Sequence, residues 1–356
     1  MITDLEFPTS LDKVALSEEL PPLVLIAFTR PDLLKEVLEA IRQQSLLPPK
    51  IIAFVDGKRG EEDEPLIEKC ILLLEQLSTS IPVHITRRSH NLGGTQNAIL
   101  GLTEALSNHK SVVYLEDDTV PNRYFYDRMC RLLEAYRDHR QVCSVSAYAN
   151  YPAELKIPDN TDFIASNRVF SWGLGLWSDR WKELDLVNQS GQYNPFGSFY
   201  NIPATSQTKM TMINQFWLEN NRKTDWVITF TLAALYHQKV HITPTNSFTF
   251  NIGFGHPNAQ TYRGQEQAWV NSKYDEAFYP NNLPHDLVLP DELERSLSDI
   301  ELAQHLLKHN GLWLDPFAFL HLFRSSRSLR AKALILKIFI TQLPIALRRW
   351  RSGLPI

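Results

Sequence analysis

Four short apolar runs, each giving way to a polar cluster and separated by stretches of helical spacing, constrain this chain more than any other feature of it. Leu23 to Phe28 is a continuous apolar run of the kind buried on both faces of a sheet. Thr29-Arg30-Pro31-Asp32 forms the turn that follows, with Pro31 suited to the first position of a helix. Leu33, Leu34, Val37, Leu38 and Ile41 then recur at helical spacing. "KIIAFVDGKRG" is a second buried strand ending in Asp56-Gly57, and "PLIEKCILLLEQL" a second helix. "PVHITRR" is the third strand, "SHNLGGTQNAILGLTEALSNH" a Gly-rich turn opening a helix, and "SVVYLEDD" the fourth strand. Strand and helix alternate to about residue 150, which predicts a mainly parallel sheet with helices on both faces, an α/β fold.

In such sheets ligands bind beyond the carboxyl ends of the strands. The polar clusters fall at those ends: Thr29-Arg30, Asp56-Gly57, His90-Asn91 and Glu116-Asp117-Asp118. Three successive carboxylates after a buried strand repel one another, and a divalent cation would neutralise them. Oxygen ligands favour Mg2+ or Mn2+, ions that keep positions open for substrate phosphates. Strand alternation puts Glu116 and Asp118 on one side and Asp117 on the other. The bland alternative is a solvated acidic turn with no ligand.

After residue 150 the texture changes. "FSWGLGLWSDRW" has no clean period, "YNPFGSFYNIPATSQTK" looks like a long loop, and "KTDWVITFTLAALYHQKVHITPTNSFTFNIGFGH" restores a helix and one or two strands. This half reads as a second subdomain that supplies the other side of a cleft, and residues 284 to 312 read as helical. The formal charge of -4 argues against wholesale nucleic-acid binding. Cys70, Cys130 and Cys143 show no CxxC spacing and read as reduced, buried thiols. The first twenty residues lack a secretory h-region, and no uncharged apolar run is long enough to span a bilayer, so a cytoplasmic protein is expected. From Arg324 to the end there are many bases and no acid, interleaved with Leu334, Ile335, Ile338, Phe339, Leu343 and Leu347. Such a helix either lies peripherally on the inner face of the cell membrane or docks on the core with its bases in solvent.

Taken in order, these motifs resemble the nucleotide-sugar glycosyltransferases of the GT-A fold, and in particular the N-acetylglucosaminyltransferase I family, over roughly residues 22 to 260. "VLIAFTRPDLLKEVLEAI" is similar to that family's first strand and the arginine after it, which implies nucleotide contact by Ala27, Phe28, Thr29 and Arg30. "FVDG" resembles the strand end whose acid bonds the base, implying Asp56; "RRSHNLGGTQNAI" implies base or ribose contacts from His90, Asn91 and Gly93. "YLEDD" resembles the acidic motif, implying donor contacts from Glu116 and Asp117 and a metal, Mn2+ or Mg2+, on Asp118. "FSWGLGLW" is similar to a Gly-rich loop near the acceptor. "TDWVITF" resembles the segment carrying the catalytic base, implying Asp225, although this chain has one Asp before Trp226 where the family has a pair. "FNIGFGHPNAQT" is similar to a loop that closes on the donor; by its own chemistry His256 in that loop reads as an added metal ligand or a phosphate contact, or as neither.

The resemblance implies a Rossmann-like nucleotide-diphospho-sugar transferase with a C-terminal helical extension. Its parts would be an N-terminal extension (1–21), a nucleotide-sugar half (22–150), an acceptor-binding and catalytic half (151–283) and a helical region with a basic tail (284–356). The implied reaction is inverting transfer of a hexosyl or N-acetylhexosaminyl group from a nucleoside diphosphate, UDP above all, to a hydroxyl of a glycan or glycoconjugate, as in polysaccharide biosynthesis. A sugar nucleotidyltransferase is the first alternative; "AFTRPD" lacks the glycine its phosphate loop needs. A catalytically silent GT-A scaffold is the second. Residue by residue, Asp225 could equally cap the helix at Trp226. Asp56-Gly57 could be turn chemistry, His90 and Asn91 could only shape the Gly93-Gly94 turn, and Trp172 and Trp177 could pack the core.

Overall fold

The structure, a computed structural model, describes residues 8–149, 151, 157, 160–188, 226–259, 264–266, 268, 270–288, 319–320, 323–324 and 329–351. The chain forms two compact units. One comprises Met1–Val187, Asp225–Val227 and Lys239–Pro290, and the other Asn188–Thr224, Ile228–Gln238 and Asp291–Ile356.

The expected alternation forms the first unit. Its elements are β1 (Leu23–Ala27), α1 (Pro31–Arg42), β2 (Ile51–Val55), α2 (Glu64–Leu77), β3 (Val83–Arg87), α3 (Gly94–Asn108) and β4 (Ser111–Glu116). A short β5 (Thr119–Pro121), α4 (Phe125–Ala135), β6 (Val142–Ser146), β7 (Phe163–Ser166), β8 (Leu174–Trp177) and α5 (Ser178–Leu184) follow. α6 (Trp226–Tyr236) runs on into the second unit, and β9 (Val240–Pro244) and β10 (Thr249–Asn251) return to the first. Pro31 does open α1, which buries Leu34, Val37, Leu38 and Ile41 as their spacing requires.

Among the described residues eight strands make one sheet in the order β3-β2-β1-β4-β8-β6-β9-β7. β3, β2, β1 and β4 are parallel; β8 runs antiparallel between β4 and β6, and β7 antiparallel beside β9. The chain builds outward from β1 to β3, then crosses back to place β4 on the other side of β1. That reversal is the topological switch point, where a crevice opens beyond the strand ends. Strands from beyond residue 150 continue the same sheet. The N-terminal segment is tied to it as well: Ser10 bridges Asn282, Leu11 is fully buried, and Asp12 pairs with Arg128 at 2.8 Å. The three cysteines are free and buried.

"FSWGLGLW", expected as a loop, contains β8, buried along its whole length. The absence of a clean period is what a strand covered on both faces gives. Gly175 makes it possible: a Cβ there would lie 2.6 Å from Val145 Cγ2 and 3.1 Å from Leu133, so α4 packs straight onto the bare backbone. Trp172 and Trp177 are core residues, the second donating to the Leu133 carbonyl at 3.2 Å. Residues 289–318, part of the stretch expected to be helical, lie outside the described residues.

The crowding around Gly175 sets an expected outcome. Gly175→Ala should lower stability by roughly 1–3 kcal/mol through overpacking, read as a lower urea midpoint at unchanged slope. An unchanged midpoint would mean that Leu133 and Val145 yield freely.

Candidate active site at the switch point

β1 and β4 end side by side at the switch point, with Ile26 in register with Glu116. The turn after β1 carries Arg30 and the turn after β4 carries Asp117 and Asp118. Arg30 bonds both acids: one amino group pairs with Asp117 Oδ1 and the other with Asp118 Oδ2 at 2.6 Å. The Phe28 N–H also donates to Asp117 Oδ2 at 3.3 Å. The Asp117 side chain is 3% exposed and that of Arg30 18%, so the pair lies largely out of water. Burial works against the charge on Arg30, but the two carboxylates overcome it and hold the guanidinium above its usual pKa. Burial likewise pushes the Asp117 carboxyl up, with Arg30 opposing.

The alternation expected across the three acids does not hold. The strand ends at Glu116, and Asp117 and Asp118 belong to the turn, so both accept from one guanidinium. Glu116 accepts instead from the Tyr114 hydroxyl at 2.8 Å, and that hydroxyl receives the Trp226 indole N–H at 3.2 Å. The first residue of α6 is thereby anchored to the end of β4. Asp225, expected as the catalytic base, lies outside the described residues.

Asp56, at the end of β2, is 3% exposed, and its carboxylate holds a loop together. Oδ1 accepts the Gly57 and Leu92 N–H groups, both at 2.8 Å; Oδ2 accepts the Gly93 N–H at 2.9 Å and the Asn91 side chain at 3.0 Å. Asn91 also donates to the Gly57 carbonyl at 2.9 Å. The structure thus joins Asp56, Asn91 and Gly93, all predicted site residues, in one turn at the mouth of α3. Oδ1 and Oδ2 each accept two such bonds, so what Asp56 visibly does is shape this loop. His90 is exposed, bonded to the neighbouring Ser89 hydroxyl at 3.1 Å.

The loop after β10 crosses both strand ends. β10 pairs antiparallel with β5, and the Ile252 N–H donates to the Asp118 carbonyl at 2.9 Å. A Cβ on Gly253 would lie 2.1 Å from Asp118 Oδ2 and 3.0 Å from Arg30, so only glycine lets the backbone cover that ion pair. The Asn258 side chain donates to the Thr29 carbonyl at 3.0 Å. The Asn258 backbone N–H donates to His256 Nδ1 at 3.1 Å, which leaves the ring proton on Nε2, 3.1 Å from Asp32. Both ring nitrogens of His256 are thus engaged within the protein.

Sequence reading passed over Arg59, Asp63 and Arg88, which line the same strand ends. Arg59 is fixed by a bidentate bond to the buried Asp63, at 2.7 and 2.8 Å, and lies over the Phe28 ring at 4.9 Å. Arg88 covers Phe54 and bonds Asn97 at 3.1 Å. The available signal was a base placed just after a strand, as in "VDGKRG" and "ITRRSH". Among the described residues no group of three or more His, Cys, Asp or Glu could hold a metal. One oxygen fits a cation in a sparser mode: among the described residues Asp118 Oδ1 meets only the Thr119 hydroxyl, at 3.4 Å. A hard cation that takes its remaining ligands from a diphosphate and water needs no more from the protein.

No family model matches this chain, and no curated protein matches it. Solved structures do. Crystal structures of S. aureus TarS residues 1–349 align with TM-score 0.44 at 9% identity, and, in complex with UDP-GlcNAc, with 0.43 at 11%; each covers 94% of this chain and 92% of that one. Against longer TarS the TM-score is 0.39 at 11% identity, over 86% of this chain, which spans only 44% of that protein. The mannosyltransferase PcManGT from Pyrobaculum calidifontis, in complex with GDP-Man and Mn2+, gives 0.36 at 13% identity over 65% of this chain and 72% of that one.

The buried ion pair makes a checkable demand. Arg30→Met strands two carboxylates and should cost about 3–5 kcal/mol in urea unfolding. The loss should shrink as pH falls towards the carboxylate range. A carboxyl held above its unfolded value contributes stability at low pH and loses it as pH rises through the raised value. Adding Asp117→Asn should recover part of it. A midpoint indifferent to Arg30→Met would show the clamp to be dispensable for folding.

Proposed function

We propose that this chain is a GT-A glycosyltransferase that moves a sugar from a nucleoside diphosphate, UDP above all, to an acceptor hydroxyl on a glycan or glycoconjugate. One observation carries the reading. Arg30, Asp117 and Asp118 form a single charged cluster beyond the carboxyl ends of β1 and β4, at the switch point where α/β sheets bind nucleotides. The likeness to the N-acetylglucosaminyltransferase I family adds the order of the motifs and nothing finer.

In this reading Phe28 and Arg59, stacked and fixed by Asp63, offer a flat platform beside the loop that Asp56 holds, where a base and ribose would lie. Asp118 would hold Mn2+ or Mg2+ through Oδ1; a cation bound there supplies charge neutralisation for a diphosphate leaving group. Arg30 contributes a second, permanent positive charge at the same point. The loop carrying Gly253 and Asn258 keeps water from the ion pair. An acceptor hydroxyl is a weak nucleophile and must lose its proton as it attacks. Asp225 is assigned that task, and one base opposite the leaving group implies single displacement with inversion. Its covalent neighbour Trp226 is bonded through Tyr114 to Glu116 at the end of β4, which supports the reading without fixing where Asp225 lies.

Two variants separate the roles. Asp118→Asn should abolish the Mn2+-dependent rise in melting temperature with UDP, since only a ligand bound to the folded state raises it. Asp225→Asn should keep that rise while transfer falls about 10²- to 10⁴-fold, the usual worth of a general base. A rise that survives in Asp118→Asn counts against Asp118, and retained turnover removes Asp225. If no nucleotide sugar stabilises the unaltered protein, with or without Mn2+, the reading fails.

A further inference from the structure

The C-terminal helix α7 (Leu329–Arg351) has two apolar faces, and the protein covers one of them. Ile335 and Ile338 are buried, with Gln342 on the same side. On the opposite side Leu329 is 84% exposed, Leu336 42%, Ile340 54%, Leu343 44% and Leu347 54%. The last four positions step by four, three and four, and Leu329 stands two turns before Leu336, so the five form one stripe along the helix. Scattered exposed leucines need no explanation. A continuous stripe of them marks a surface that meets something apolar.

Charge identifies what that is. Residues 324–356 carry eight Lys and Arg and no Asp or Glu, and Lys337 and Arg351 are exposed. Pairing this seam with the same seam of a second copy would set two strongly basic helices side by side, where like charges repel. An anionic bilayer surface satisfies both features: acyl chains take the leucines while headgroups take the bases. Among the described residues no helix is long and apolar enough to cross a membrane. We propose that α7 lies in the plane of an anionic lipid surface, with the stripe Leu329, Leu336, Ile340, Leu343 and Leu347 facing the acyl chains. This inference does not depend on the transferase reading, because its test measures lipid binding alone.

The test is co-flotation of the full chain with vesicles of phosphatidylcholine, with or without about 30% phosphatidylglycerol, a composition chosen to supply negative surface charge. The chain should float with the anionic vesicles and stay behind with the neutral ones. Replacing Leu336, Ile340 and Leu343 together by Ser should lower partitioning at least about tenfold. These side chains face solvent, so the melting midpoint and the far-UV spectrum should not move. Should that variant fold poorly, Lys332→Glu with Lys337→Glu decides, again by weakened binding to anionic vesicles. Failure to float, or flotation indifferent to both variants, overturns the proposal. So does a dimer in sedimentation that the serine variant dissolves, which would give the seam to a second copy. Binding to soluble polyglutamate but not to vesicles would give it to an acidic protein and overturn the proposal as well.

Discussion

A single guanidinium holding two carboxylates out of water is the interaction on which the rest of this structure turns. Two like charges about 4 Å apart repel by about 4 kcal/mol at an effective dielectric of about 20, and burial adds to that cost. Arg30 offsets both, because its planar fork reaches Asp117 with one amino group and Asp118 with the other. Lysine, a point charge, could not bridge both acids in that way. The clamp also joins the turn after the first strand to the turn after the fourth, so it closes the sheet at the place where the chain reverses its direction of growth.

Around that clamp the other strand ends are organised by the same economy of polar groups. Asp56 spends its carboxylate on the backbone of Leu92 and Gly93, fixing the loop that opens α3. Asp63 spends its own on Arg59 and so sets a cation over Phe28. The ribbon of β5 and β10 delivers the chain back across the cluster, and Gly253 lets it pass within contact of Asp118. Asp63 has its partner one helical turn away, but Asp56, Asp117 and Asp118 are held by partners distant in sequence, so that part of the site is a property of the assembled sheet.

That explains how much of it could be read beforehand. The parallel half was legible because its strands are buried on both faces and its helices on one, and those two demands leave different periods in the residues. The candidate cluster was legible because acids at the end of an apolar run need a counter-charge. What kind of counter-charge was not legible: Arg30 lies 87 residues before Asp117, and nothing local shows that they meet. β8 was hidden because an antiparallel strand sealed between two others carries no alternation, and its glycine reads as a loop. The two engaged nitrogens of His256 depend on Asp32, 224 positions away.

The three adjacent acids illustrate how a one-residue change in backbone state redistributes charge. Had the strand continued, Glu116 and Asp118 would share a side, and Asp117 would face the other layer alone. Ending it at Glu116 sends that carboxylate to Tyr114 and Trp226 while its two successors turn together towards Arg30. The cluster of Arg30 with Asp117 and Asp118 then carries one uncompensated negative charge when both acids are ionised. Asp117 is the more deeply enclosed of the two and is pushed towards its neutral form by burial. The open oxygen lies on the other acid: among the described residues Asp118 Oδ1 meets the Thr119 hydroxyl alone, at 3.4 Å. The cluster thus has two charge states, one with a surplus negative charge and one without, and in the proposed reading a cation at Asp118 would favour the first.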